Sequence, residues 1–103
     1  MAVVSMMRIS GDPDELAAKI AEHVDPVGRR LAPKHGALGR ILAKTDDGVL
    51  AINLWKTEEG RHAMAEEPEI QEGVRAAGLP QPHFEGFEVV DYVFLPEAVE
   101  GSS

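Results

Sequence analysis

The stretch Asp46-Asp47-Gly48 stands between two apolar runs, residues 38–45 and 49–55. Aspartate followed by glycine between apolar runs specifies a β-hairpin, because glycine adopts the turn conformations that match strand twist. Two registers satisfy the pattern: a two-residue Asp47-Gly48 turn, or a three-residue loop with Gly48 as a bulge. Both place Gly48 at positive φ. In either register the second strand alternates, with Leu50, Ile52 and Leu54 on one face and Val49, Ala51, Asn53 and Trp55 on the other.

A helical segment flanks the hairpin on each side. Upstream, Asp12 is a good N-cap, Pro13 suits the first helical position, and Asp14 and Glu15 suit the first turn. Leu16, Ile20, Val24, Val27 and Leu31 then mark one helix face, which Asp25-Pro26 kinks or restarts. Pro33 and Gly36 close it. Downstream, Thr57 caps a second helix that carries Ala63 and Met64 inward and breaks at Pro68. It resumes through Ile70 and Val74 to Ala77, with Gly78 at the C′ position. Residues 3–9 form an opening strand, 79–83 a proline-stiffened loop, and about 87–94 the closing strand.

The order β-α-β-β-α-β is the ferredoxin-like, split βαβ arrangement, an α+β fold whose antiparallel sheet carries its helices on one face. Its open face should be polar. Instead, Val3, Val4, Met6 and Met7 leave the first strand apolar on both sides, and residues 87–94 repeat that pattern at the closing strand. Strands apolar on both faces are buried on both faces. One chain supplies helices for only one of them, so the expected cover is a second copy in a two-fold dimer. Residues 1–95 form a single domain and 96–103 a C-terminal tail, whose closing Gly101-Ser102-Ser103 is either native or a cloning remnant.

Charge and composition narrow the partners. Acids outnumber bases 18 to 10, a net charge of −8, which repels nucleic acid and anionic membrane surfaces. No cysteine is present, which excludes disulfides, thiolate catalysis and cysteine-ligated clusters. No apolar run is long enough to span a bilayer and no signal-peptide pattern is visible, so the expected compartment is the cytoplasm.

The segment Asn53-Leu54-Trp55-Lys56-Thr57-Glu58-Glu59, where a strand ends in tryptophan and an acidic cap opens a helix, resembles the dimeric α/β-barrel superfamily, and within it the antibiotic biosynthesis monooxygenase domain. Phe87-Glu88-Val89-Val90-Asp91-Tyr92 supports the resemblance as the closing strand. The resemblance implies two sheets, one per subunit, facing each other in a barrel, with a ligand cavity between each sheet and its own helices. It implies a small-molecule ligand. One branch of that family oxidises anthrone-type polyketides to quinones without a cofactor. Others degrade haem, isomerise or cyclise small molecules, or have no known activity. The haem branch uses an asparagine, a tryptophan and a histidine at positions that align with Ser5 or Met6, Met64 and Gly73, none of which matches. The oxygenase branch uses an asparagine and a tryptophan on one strand, a tyrosine and an arginine. Asn53 and Trp55 stand two residues apart where the family spaces the pair by four, and Tyr92 and Arg75 have no firm match.

From this reading the expected function is binding of a small aromatic molecule, with cofactor-independent monooxygenation as the leading activity. The alternative is a non-catalytic ligand-binding or stress-related module. Asn53 is the candidate catalytic residue. Asparagine is poor strand material, and a buried amide needs a partner, whether a backbone group or the oxyanion of a substrate. Trp55, Met64, Tyr92 and His83 are the candidate substrate-binding residues, Trp55 as a flat wall with one N–H donor. No cofactor and no metal is expected. Glu58, His62 and Glu66 share a helix face, but a solvated face explains them as well as a metal does. Ser5 has no visible triad companion.

Overall fold

A computed structural model describes residues 1–96. Strand β1 (Val3–Ser10) leads into α1 (Pro13–His23), α2 (Asp25–Leu31) and a 3₁₀ turn (Ala32–His35). The hairpin β2 (Ala37–Thr45) and β3 (Gly48–Trp55) follows, then α3 (Glu58–Ala65), α4 (Pro68–Ala77) and β4 (His83–Glu88). The four strands form one antiparallel sheet in the order β2-β3-β1-β4, which is ferredoxin-like. Among the described residues no helix is long and apolar enough to cross a membrane.

Local chemistry sets the helix boundaries. The Asp12 side chain accepts the Glu15 N–H at 3.0 Å and starts α1. Asp25-Pro26 restarts the helix, so the first helical segment is two helices. The Thr57 hydroxyl accepts the Gly60 N–H at 3.0 Å and starts α3; Gly78, at φ 64°, ends α4.

The hairpin corrects the expected turn. Thr45 pairs with Gly48, so the turn is Asp46-Asp47, and Gly48 is the first residue of β3 without a positive φ. Its glycine has another cause. A Cβ on Gly48 would lie 1.9 Å from the carbonyl oxygen of Ile9, because β1 crosses at that point and Ser10 pairs with Gly48. Close backbone approach, in place of turn conformation, selects the residue.

The closing strand also differs from expectation. It spans His83–Glu88 and stops where the sequence becomes most β-like. β4 pairs only with β1. Glu88 meets Val3, the Val89 N–H reaches the Ala2 carbonyl at 2.9 Å, and beyond that β1 has only Met1 left. Without a partner the backbone of 90–94 has no ladder to join. The apolar alternation across 87–94 therefore belongs to a strand only at Phe87 and Glu88. Of the tail, only Pro96 falls within the described residues; Gly101-Ser102-Ser103 lies outside them.

Pairing fixes which residues share a face. Val3, Ser5, Met7 and Ile9 of β1 face the helices together with Val49, Ala51, Asn53 and Trp55 of β3. The core beneath the helices is split. One cluster holds Ile9, Leu16, Ile20 and Val49; the other holds Leu31, Trp55 and Met64. The opposite face presents Val4, Met6, Ile41, Leu50, Ile52, Leu54 and Phe87, so β1 is apolar on both faces as expected.

Charge pairs tie the first helical layer to the second. Arg30 bonds Glu69, and His35 Nε2 meets Glu67 Oε2 at 2.7 Å, with Lys34 Nζ at 3.6 Å from the same oxygen. The His35 hydrogen bond holds the Glu67 carboxyl below its ordinary value of 4.5. A depressed carboxylate stabilises the fold above that ordinary value and loses its contribution as pH falls through the folded one. Acid titration of stability below pH 4.5 should therefore be shallower in Glu67→Gln than in the wild type; parallel curves would remove the coupling. For the hairpin, Gly48→Ala should lower stability by roughly 1–3 kcal/mol through overpacking against Ile9, read as a lower urea midpoint. An unchanged midpoint would mean β1 does not cross there.

Candidate functional site

Between the two core clusters lies a row of polar or small residues that crosses the helix-facing side of all four strands. Arg40 on β2 pairs with Asn53 on β3, Asn53 with Ser5 on β1, and Ser5 with Gly86 on β4. The break between α1 and α2 meets the outer end of this row, where Arg40 Nη2 bonds Asp25 Oδ1 at 2.6 Å. The helix break, the split core and the polar row coincide.

Asn53 is half-buried, and among the described residues its side-chain amide forms no hydrogen bond. The reading in which it satisfies a neighbouring backbone therefore finds no bond here. Trp55 is the reverse case. It is 6% exposed, and its Nε1–H donates to Ser5 Oγ at 3.4 Å. The long bond satisfies the one polar group that a buried indole carries. Met64 is buried beside it, against Leu31. Trp55 and Met64 thus pack the wall of the core next to Asn53 and leave the amide as the open polar feature.

The other end of the row lies bare. Phe84, paired with Met7, is 45% exposed on the helix-facing side, and Gly86 is exposed beside it. Arg61 of α3 reaches across, with its guanidinium 4.9 Å from the Phe84 ring centroid, a cation–π contact. Glu58 accepts from Arg61 Nε at 2.9 Å and from Nη2 at 2.5 Å. That bond holds the Glu58 carboxyl below the usual carboxylate range. A groove of about 310 Å³ opens next to this bridge, lined by Met1, Val3, Thr57, Glu58, Glu59 and Glu88.

The structure separates the other two candidates from Asn53. His83 pairs with Arg8 at the start of β4, so it shares the open face; its ring is exposed and 3.8 Å from Glu85. Tyr92 lines a second groove of about 790 Å³, across the open face, with Val4, Ile41, Ile52 and Leu54. Within one chain, Asn53, Trp55 and Met64 are brought together, and Tyr92 and His83 lie on the far side of the sheet. His62 pairs with Glu66 at 2.9 Å while Glu58 is engaged by Arg61, and among the described residues no group is placed to hold a metal.

Sequence reasoning underrated Ser5, Arg40, Arg61 and Phe84. Ser5 carried a usable signal, as the one polar side chain alternating with Val3, Met7 and Ile9. Arg40 carried none, because a β-bulge between Ala37 and Gly39 sets which face it takes. Arg61 and Phe84 meet only through the register of β4.

This is the ferredoxin-like α+β fold of the antibiotic biosynthesis monooxygenase-like proteins. A protein of that description from Deinococcus radiodurans superposes with a TM-score of 0.66 at 12% identity, over 92% of this chain and 99% of its own. SnoaB from Streptomyces nogalater, described as a cofactor-independent oxygenase, gives 0.61 at 17%, over 93% and 96%. A protein from an uncultured marine organism, described as dimeric and ferredoxin-like, gives 0.65 at 12%, over 92% of each chain. At these identities the likeness is one of fold. No protein-family model matches the chain, and no curated relative matches it in sequence.

Gly73, the residue that aligns with the haem branch's histidine, is buried where α4 meets the end of α1. A Cβ there would lie 2.5 Å from the carbonyl oxygen of His23, so the position has no room for a ligating side chain. Haem titrated into the protein should give no saturable Soret shift at stoichiometric concentration. Tight one-to-one binding would overturn this placement.

Proposed function

We propose that this chain binds a small aromatic molecule on the helix-facing side of its sheet, at the Asn53 amide, as one subunit of a homodimeric α/β barrel. The observation that carries the reading is the unpartnered amide on a central strand. An asparagine there costs strand propensity, and nothing among the described residues uses its hydrogen bonds. A carbonyl or phenolate oxygen of a ligand supplies the missing acceptor for the amide N–H.

The activity that fits this amide is cofactor-independent oxygenation of an anthrone-type carbon. The substrate loses a proton to give a carbanion whose charge rests on its oxygen, next to Asn53. The carbanion then reacts with molecular oxygen. The methylene becomes a carbonyl, and the second oxygen atom leaves as water. The likeness in fold to a protein described as a cofactor-independent oxygenase supports this reading. A second reading, a non-catalytic binding module, has its own support: Trp55 and Met64 are packed into the core, and the Trp55 N–H is already bonded to Ser5.

Asn53→Ala separates the two. With an oxyanion at Asn53, turnover per folded molecule should fall about 100-fold or more, because the charge develops only in the transition state. Ground-state affinity, read by Trp55 fluorescence, should fall by only about 0.5–1.5 kcal/mol. A lower thermal midpoint with unchanged anthrone oxidation per folded molecule would favour the module. Failure of wild-type protein to bind or oxidise any of a panel of anthrones and hydroxyquinones would remove the oxygenase reading.

A further inference from the structure

The segment after β4 is the least satisfied part of the chain. Residues 89–95, Val-Val-Asp-Tyr-Val-Phe-Leu, leave the sheet edge and cross its open face. The crossing reaches the far edge strand, where the Phe94 ring lies 4.0 Å from the position a Cβ would take on Gly39. Val89, Tyr92 and Phe94 line the groove against Val4, Ile41, Ile52 and Leu54. The remaining apolar side chains have no cover: Val90 is 100% exposed, Val93 73% and Leu95 82%.

We propose that this strap is the contact surface for a second copy of this chain, with Val90, Val93 and Leu95 packing against the partner's open face and strap. The proposal rests on the homodimer reading above and assigns its determinants. Three observations select the occupant. Ile41, Phe87, Tyr92 and Phe94 join those three residues in one exposed apolar patch. At roughly 100 Å² apiece, seven such side chains supply about 700 Å², close to the ~800 Å² that each partner contributes to a standard interface. The net charge of −8 makes two copies repel wherever their charged surfaces meet, yet Asp91 is the only charged residue in 89–95. A surface low in charge is where like-charged copies approach at least cost, and interface centres are depleted of charge. Finally, the same negative charge opposes an anionic membrane as the cover.

Sedimentation of the full chain tests this. Wild-type protein at micromolar concentration should run as a dimer. The double variant Val90→Asp, Val93→Asp should weaken association by about 100-fold or more. Ala76→Asp, which adds charge to an exposed site on α4, should stay dimeric. A wild-type monomer would overturn the homodimer reading and this proposal with it. A dimer equally tight in the double variant would overturn the strap alone. A second measurement does not depend on how the charged variant folds. The chain has no cysteine, so Val93→Cys introduces a unique thiol. Its maleimide labelling should slow at least about tenfold from concentrations where the protein is monomeric to those where it is dimeric, because the docked partner covers the residue. Labelling independent of concentration while the protein dimerises would overturn the assignment.

Discussion

The double pairing of β1 governs this molecule. β1 is held by β3 on one side and β4 on the other, and both neighbours take their register from it. Where β1 ends, at Ser10, its backbone runs so close to β3 that only glycine fits at position 48. Where it begins, at Val3, it stops the growth of β4, and residues with strong strand character are left without a ladder. One strand's length thus decides the identity of a hairpin residue at one end and frees the strap at the other. The physical cause is that backbone N–H and C=O groups are satisfied in a sheet only where a partner strand extends.

The same strand carries the middle of the polar row. Ser5, Asn53 and Arg40 interrupt the apolar side of the sheet beneath the break between α1 and α2. Asp25, at that break, meets Arg40. The arrangement divides the core into two clusters and leaves one amide open between them. Burying a polar group without a partner is costly, so Asn53 stays half-exposed. The open amide is the most economical place for a ligand oxygen, and it is the point at which binding and chemistry are separable by mutation. The apolar strap lies on the opposite face, so the residues that serve association and those that serve binding are distinct within one chain.

Much of the fold was legible in the sequence because its signals are local. Asp12, Thr57 and Gly78 act through hydrogen bonds or backbone conformations within a few residues, and each stands at the end of its helix as read. Pro26 and Pro68 break helices for reasons internal to the proline ring. Alternation in β3 placed Asn53 and Trp55 on one face, and the structure puts both toward the helices. The two-sided apolarity of β1 was equally visible, since a period of two needs no knowledge of partners.

What failed to show was set by distant chain. Gly48 was read as a turn residue, but its constraint comes from Ile9, nearly forty positions away. Residues 87–94 had the composition of a strand, yet pairing, which composition does not encode, ended that strand at Glu88. Arg40 faces the helices because of a bulge, and Tyr92 and Asn53 stand on opposite faces because of where β4 stops. The sequence by itself determined the elements, their order and the side each strand residue takes relative to its neighbours. Register, strand length and the company that Asn53, Tyr92 and His83 keep were decided only in three dimensions, because each depends on where two remote stretches of backbone meet.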